Sequence, residues 1–164
     1  MSEVVVHVVS NTSPLNYLLL IDEIGILPQL YGRIRVPQAV MNELSHPDSP
    51  SVVRSWAVRP PAWTEIVVPA GKPDQTLQDL GAGERDAILL TQESSNGLLI
   101  IDERAGTREA EKRGVLTTST LGVLDQAAYR GLVDIKQAMS RLQATNFRIR
   151  RDIVESLVKK HESR

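Results

Sequence analysis

The chemistry-bearing residues of this chain gather at a few points. Asn11, Thr12 and Ser13 close an apolar run, and Asp102-Glu103 closes another. Glu84 and Asp86 lie in the first turn of an expected helix, and Glu43 shares a helical face with Ala39, Val40 and Leu44. Hard divalent cations take oxygen ligands and often need only one to three carboxylates, water completing the shell. Such an ion can acidify a water for attack on a phosphodiester, while a second stabilises the leaving oxygen. Each acid also has a structural reading. The helix dipole favours Glu84 and Asp86, Asp102 can cap the helix that follows it, and Glu43 can reach water from the edge of its apolar stripe. Their joint placement carries the catalytic reading.

Other chemistries are poorly supplied. The chain has no cysteine, no glycine-rich dinucleotide loop after a strand and no Walker-type phosphate loop. Ser13 has no evident histidine partner, and His7, His46 and His161 are scattered over an expected strand, loop and terminal helix.

The elements that must position these residues follow from the apolar pattern. Val4 to Val9 is a nearly unbroken β-branched run, expected to form a strand buried on both faces at the centre of a parallel sheet. Ser10-Asn11-Thr12-Ser13 are good helix caps, and Pro14 suits a first helical turn. Leu98–Ile101 is a second buried strand, and shorter strands are expected at Arg33–Val36 and Val115–Thr117. A helix is expected to open at Asp22-Glu23, with others over Glu84–Glu93, Arg104–Arg113, from Thr118-Ser119-Thr120 to Gly131, Ile135–Gln143 and Asp152–Lys160. This alternation implies an α/β fold, a central parallel sheet with helices on both faces. Proline-rich loop signals mark about 46–79 as an irregular insertion or flap holding one short helix and one short strand. One domain over 1–164 is expected, with C-terminal helices at about 134–161.

At 164 residues and 41% hydrophobic content the chain can build a proper core, and with one Phe, two Trp and three Tyr that core must be aliphatic. No stretch approaches a membrane helix of roughly 20 apolar residues, so a cytoplasmic, soluble protein is expected. The net charge of -1 hides an asymmetry: residues 1–103 carry 13 acids against 6 Lys/Arg, residues 104–164 carry 7 against 13. An acidic part beside a basic part suits a metal-dependent enzyme acting on a polyanion, and equally a protein that pairs with an oppositely charged partner.

Five phrases, in order, resemble the PIN-domain family, particularly its nucleic-acid-binding and toxin-type ribonuclease branch. They are Val9-Ser10-Asn11-Thr12-Ser13-Pro14-Leu15, Val36 to Leu44, Gly81-Ala82-Gly83-Glu84-Arg85-Asp86-Ala87-Ile88, Leu99-Ile100-Ile101-Asp102-Glu103-Arg104 and Ser119 to Leu124. The resemblance implies a Rossmann-like PIN domain with an acidic pocket at the carboxyl edge of the sheet. It implies Mg²⁺ or Mn²⁺ and endonucleolytic hydrolysis of single-stranded RNA, as in the toxin of a toxin–antitoxin pair. The expected partners are an antitoxin protein and a second copy of the chain in a homodimer. Glu43 is similar to the family's second acid, Glu84 to the third (Asp86 being the alternative), and Asp102 to the fourth, with Glu103 its exposed neighbour. Thr12 or Ser13 resembles a hydroxyl that supports the metal through water. The first acid, an aspartate in most PIN domains, corresponds to Asn11. A neutral amide there implies the competing reading of a catalytically weakened RNA- or protein-binding module. Arg104, Arg108 and Lys112 recur every fourth residue as a stripe of phosphate contacts, or as a solvated helix face. Arg148, Arg150 and Arg151 form a second basic cluster.

Overall fold

The structure is a computed structural model that describes residues 6–162. Strands β1 (His7–Ser10), β2 (Ile34–Pro37), β3 (Thr64–Val67), β4 (Gly97–Ile100) and β5 (Leu116–Thr118) form one parallel sheet in the order β3-β2-β1-β4-β5. The N-terminal apolar run supplies the central strand, although Val4 and Val5, its expected first residues, lie outside the described residues. β1 is paired on both sides, Val8 meeting Ile34 of β2 and Leu98 of β4. Its valines serve opposite faces, which explains an apolar run without alternation. Val8 belongs to one core with Leu15, Ile34, Ile100 and Leu124, and Val9 to the other with Leu77, Ile88, Leu99 and Ile101.

The helices divide accordingly. Helices α1 (Thr12–Leu20), α2 (Ile26–Tyr31), α3 (Gln38–Leu44) and α4 (Ser51–Val58) bury residues on the Val8 face. Helices α5 (Gln75–Gln78), α6 (Ala82–Glu93) and α7 (Arg104–Lys112) cover the Val9 face. Helices α8 (Thr120–Tyr129), α9 (Ile135–Gln143) and α10 (Arg151–Glu162) return to the Val8 face. The chain therefore builds outward from β1 to β3, then crosses to the other side of β1 to lay down β4 and β5. Ligands of open α/β sheets bind where the strand order reverses in this way, at the carboxyl ends. The reversal sets the end of β1 beside the end of β4, where the Asn11 backbone N–H donates to the Ile100 carbonyl at 2.9 Å.

Two local expectations need correction, and one short helix was not foreseen. The 46–79 stretch is woven into the scaffold instead of covering it: β3 is the sheet's edge strand and Val53 of α4 is fully buried. β3 is only partly buried, so it lacks the apolar signal of β1 and β4. No helix opens at Asp22-Glu23, because Asp22 takes a left-handed turn (φ 59°) after α1 and α2 begins at Ile26. The short α5 went unforeseen; the Asp74 carboxylate caps it by accepting from the Leu77 amide at 3.2 Å.

Candidate active site

The N-termini of α1, α7 and α8 follow the carboxyl ends of β1, β4 and β5, and α6 begins beside them through its contacts with α3. A helix N-terminus presents amides without intrahelical partners and a partial positive charge, so carboxylates are stabilised here. That local rule accounts for where most of the acids go.

Asp102 spans two helix starts. Its Oδ1 accepts from the Thr120 amide at 2.8 Å, and its Oδ2 accepts from the Thr120 hydroxyl at 2.7 Å and the Ser13 hydroxyl at 3.0 Å. The capping role foreseen for Asp102 is thus real, but it serves α8, not the α7 that follows it. Glu43 is held similarly, accepting from the Thr12 hydroxyl and, at 2.9 Å, from the Gly83 amide. A Cβ on Gly83 would stand 2.6 Å from the Glu43 carboxylate, so a side chain there would push that carboxylate away from the α6 start. With its second amide satisfied by Glu43, α6 starts at Ala82, ahead of the expected Glu84.

Glu103 is not the exposed neighbour expected from the sequence. Its Oε2 accepts from Asn11 Nδ2 at 2.9 Å, and its side chain is partly buried. Burial pushes its carboxyl above the ordinary range; its own backbone amide opposes this, Asp102 adds to it, Asn11 opposes it and Glu43 adds to it. Glu84 is also raised, by burial and then by the charges of Glu103 and Glu43. It lies against α7, where a Cβ on Gly106 would meet its carboxylate at 2.6 Å. Asp86 is raised by burial, lowered by neighbouring Arg85 and raised by Glu43. Glu43, Glu84 and Glu103 therefore sense one another, with Asp86 further out facing Glu43 and Arg85. Tyr17, on the next turn of α1, is raised by burial and by Asp102 and Glu103.

Asn11 is 1% exposed and occupies the N-cap position of α1, yet its side chain makes no cap hydrogen bond. Its Nδ2 serves Glu103, and its Oδ1 is a buried acceptor with no hydrogen-bond partner. Leaving such a group unsatisfied costs roughly 1–3 kcal/mol. Among the described residues no three His, Cys, Asp or Glu side chains form a metal-holding group, and Glu43 and Asp102 accept hydrogen bonds from protein donors. The remaining donor set is small and hard: the Asn11 Oδ1, with Glu84 and Glu103 as mutually repelling carboxylates. Mg²⁺ suits such a set, because it keeps several waters and needs only one or two carboxylates.

The basic stripe is brought in selectively. Arg104 and Arg108, both exposed, line a groove of about 390 Å³ with Asp102, Thr107 and Ser119. Lys112 lies beyond it, in the last turn of α7, where the helix dipole favours a cation. Sequence reasoning missed Gly83, Gly106 and Thr120 as residues that shape the acids' surroundings. Thr120 stands in one of the resembling phrases, but no spacing joins it to Asp102 18 positions earlier.

A family model described as a PIN domain matches residues 7–163. No curated protein and no solved structure matches the chain.

Proposed function

The chain belongs to the PIN-domain family, whose fold is of nuclease type, and from that premise we propose that it is a Mg²⁺- or Mn²⁺-dependent endoribonuclease acting on single-stranded RNA. The observation that carries the reading is the orphaned Asn11 Oδ1 buried beside carboxylates that repel one another. A bound divalent ion would supply charge neutralisation and an acidified water. Asn11, Glu84 and Glu103 would hold it. Asn11 also orients Glu103 through its Nδ2, and Glu43 and Asp102 fix the starts of α1, α6 and α8 around the pocket. Arg104 and Arg108 would take phosphates beside the pocket, giving affinity without sequence readout. We further propose that the protein is the cytoplasmic toxin of a toxin–antitoxin pair and acts as a homodimer. Among the described residues no helix is long and apolar enough to cross a membrane.

The test is cleavage of linear and circular single-stranded RNA by purified protein with Mg²⁺ or Mn²⁺. Internal products from both substrates, abolished by EDTA and by Glu84→Gln, are expected; an unaffected Glu84→Gln enzyme would refute the site. Asn11 favours a second reading, a PIN-fold binding module with weakened catalysis. Under it the wild type binds RNA without cutting while Asn11→Asp cuts.

A further inference from the structure

We propose that a second groove, running from Glu103 along α1 to residues 146–150, is a nucleotide-binding arm that holds single-stranded RNA on one side of the cleavage point. The inference rests on the nuclease reading and gives its substrate a path. The groove, about 720 Å³, is lined by Asp102 and Glu103, by Tyr17 and Phe147, and by Arg148.

The aromatic pair is built and anchored. The rings of Tyr17 and Phe147 stand edge to face with centroids 4.8 Å apart. The Tyr17 hydroxyl donates to Asn146 Oδ1 at 2.8 Å, and the Phe147 amide donates to the Thr145 hydroxyl at 3.1 Å. The segment after α9 is thereby fixed against α1. Phe147, the only phenylalanine of the chain, is half-buried against the core while also lining the groove. Arg148 beside it is exposed, and no hydrogen bond or ion pair engages it among the described residues, whereas Arg150 is held by Asp152 at 3.0 Å. An aromatic surface next to an uncommitted guanidinium fits a base and its phosphate. An acidic peptide fits less well, because it would run into Asp102 and Glu103, where a phosphodiester would arrive with a divalent cation. This groove and the one lined by Arg104 and Arg108 share Asp102 and Ser119. A strand entering either reaches the acids and continues into the other.

Binding of a labelled 12-nucleotide oligouridine, followed by anisotropy with Mg²⁺ on a Glu84→Gln background, tests the arm. Arg148→Ala should lower the slope of log affinity against log salt by about 0.7, one single-strand phosphate contact. Phe147→Leu, which keeps apolar bulk but removes the ring, should weaken binding roughly 5- to 100-fold while the thermal midpoint falls by only about 1–6 °C for the lost ring pair. If either variant binds as the parent does while Arg104→Ala and Arg108→Ala weaken binding, the arm is overturned and the nuclease reading stands. Absence of oligouridine binding, with no RNA cleavage by the wild type, overturns both. Polyglutamate of equal charge that binds and loses affinity equally in Phe147→Leu overturns the arm in favour of an acidic protein partner.

Discussion

Asn11→Asp changes one charge at constant shape, at a polar position of the pocket that is only 1% exposed. In the native protein Nδ2 donates to Glu103 Oε2 at 2.9 Å. A hydrogen bond to a charged group contributes about 1.5–3 kcal/mol, and the variant replaces it with a second carboxylate. Two unit charges roughly 4 Å apart repel by about 4 kcal/mol at an effective dielectric near 20. A shared proton relieves part of this, so a net loss of about 2–4 kcal/mol is expected without metal. At about 2–4 °C per kcal/mol for a chain of this size, the midpoint should fall by roughly 4–16 °C in EDTA. Divalent cation reverses the sign, because the added charge now attracts. Ion at 100 times its dissociation constant returns about 2.7 kcal/mol, and more where affinity is higher. Thermal melts in EDTA and across a Mg²⁺ or Mn²⁺ titration read both effects. The variant should start below the wild type, gain more from the ion and cleave RNA faster. A variant as stable as the wild type in EDTA, with no larger metal response, would refute a cation site at Asn11 and Glu103.

Two further predictions separate the acids. Glu84 and Glu103 have folded-state pKa values raised above the ordinary glutamate value, first by burial. The folded state therefore holds protons that the unfolded state has released. The associated stability is full below the ordinary glutamate range and is lost as pH rises through the raised values. Metal-free thermal midpoints should fall across that weakly acidic window, and Glu103→Gln should flatten the fall while abolishing cleavage; an unchanged pH profile in that variant contradicts the assignment. Asp102 should behave differently. Asp102→Ala strands the Thr120 amide and frees two hydroxyls, costing about 2–3 kcal/mol, or roughly 4–12 °C by melting. Asp102→Asn can turn its NH₂ toward the Thr120 and Ser13 hydroxyls, which then accept, so it should keep most stability and cleavage. Complete loss of cleavage with an unaltered melt would instead make the Asp102 charge catalytic.

The fold was legible because strands β1 and β4 contribute side chains to the cores on both faces of the sheet. Val8 and Val9 serve separate cores, and a strand under that constraint has little choice but to be β-branched and apolar. β3 carries no such constraint, so its place at the sheet edge was hidden among prolines. The positions of the acids were legible at strand ends and helix starts, but their division of labour was not. Successive side chains on extended backbone point to opposite sides. Nothing in the dipeptide Asp102-Glu103 says which one faces the crevice and which reaches back to Ser13 and Thr120. The partners that decide it come from 92, 89 and 18 positions away. The aromatic arm was further out of reach, since Tyr17 and Phe147 meet only after α9 returns the chain to α1.

Those long-range partners give Asn11 a physical rationale. An aspartate at the end of β1 could bind a cation but could donate nothing to Glu103, so the metal-free pocket would hold three facing acids and the added charge. The amide donates to Glu103 through Nδ2 and still offers Oδ1 inward. It stabilises the metal-free fold and forgoes one charge of attraction for the ion, and charge count is what sets affinity among oxygen-ligand sites. Under the proposed function, the amide would favour a protein that folds securely without metal and would be active only where divalent cation is plentiful. That trade predicts a steep dependence of cleavage on metal concentration in the wild type, shifted to lower concentration in Asn11→Asp.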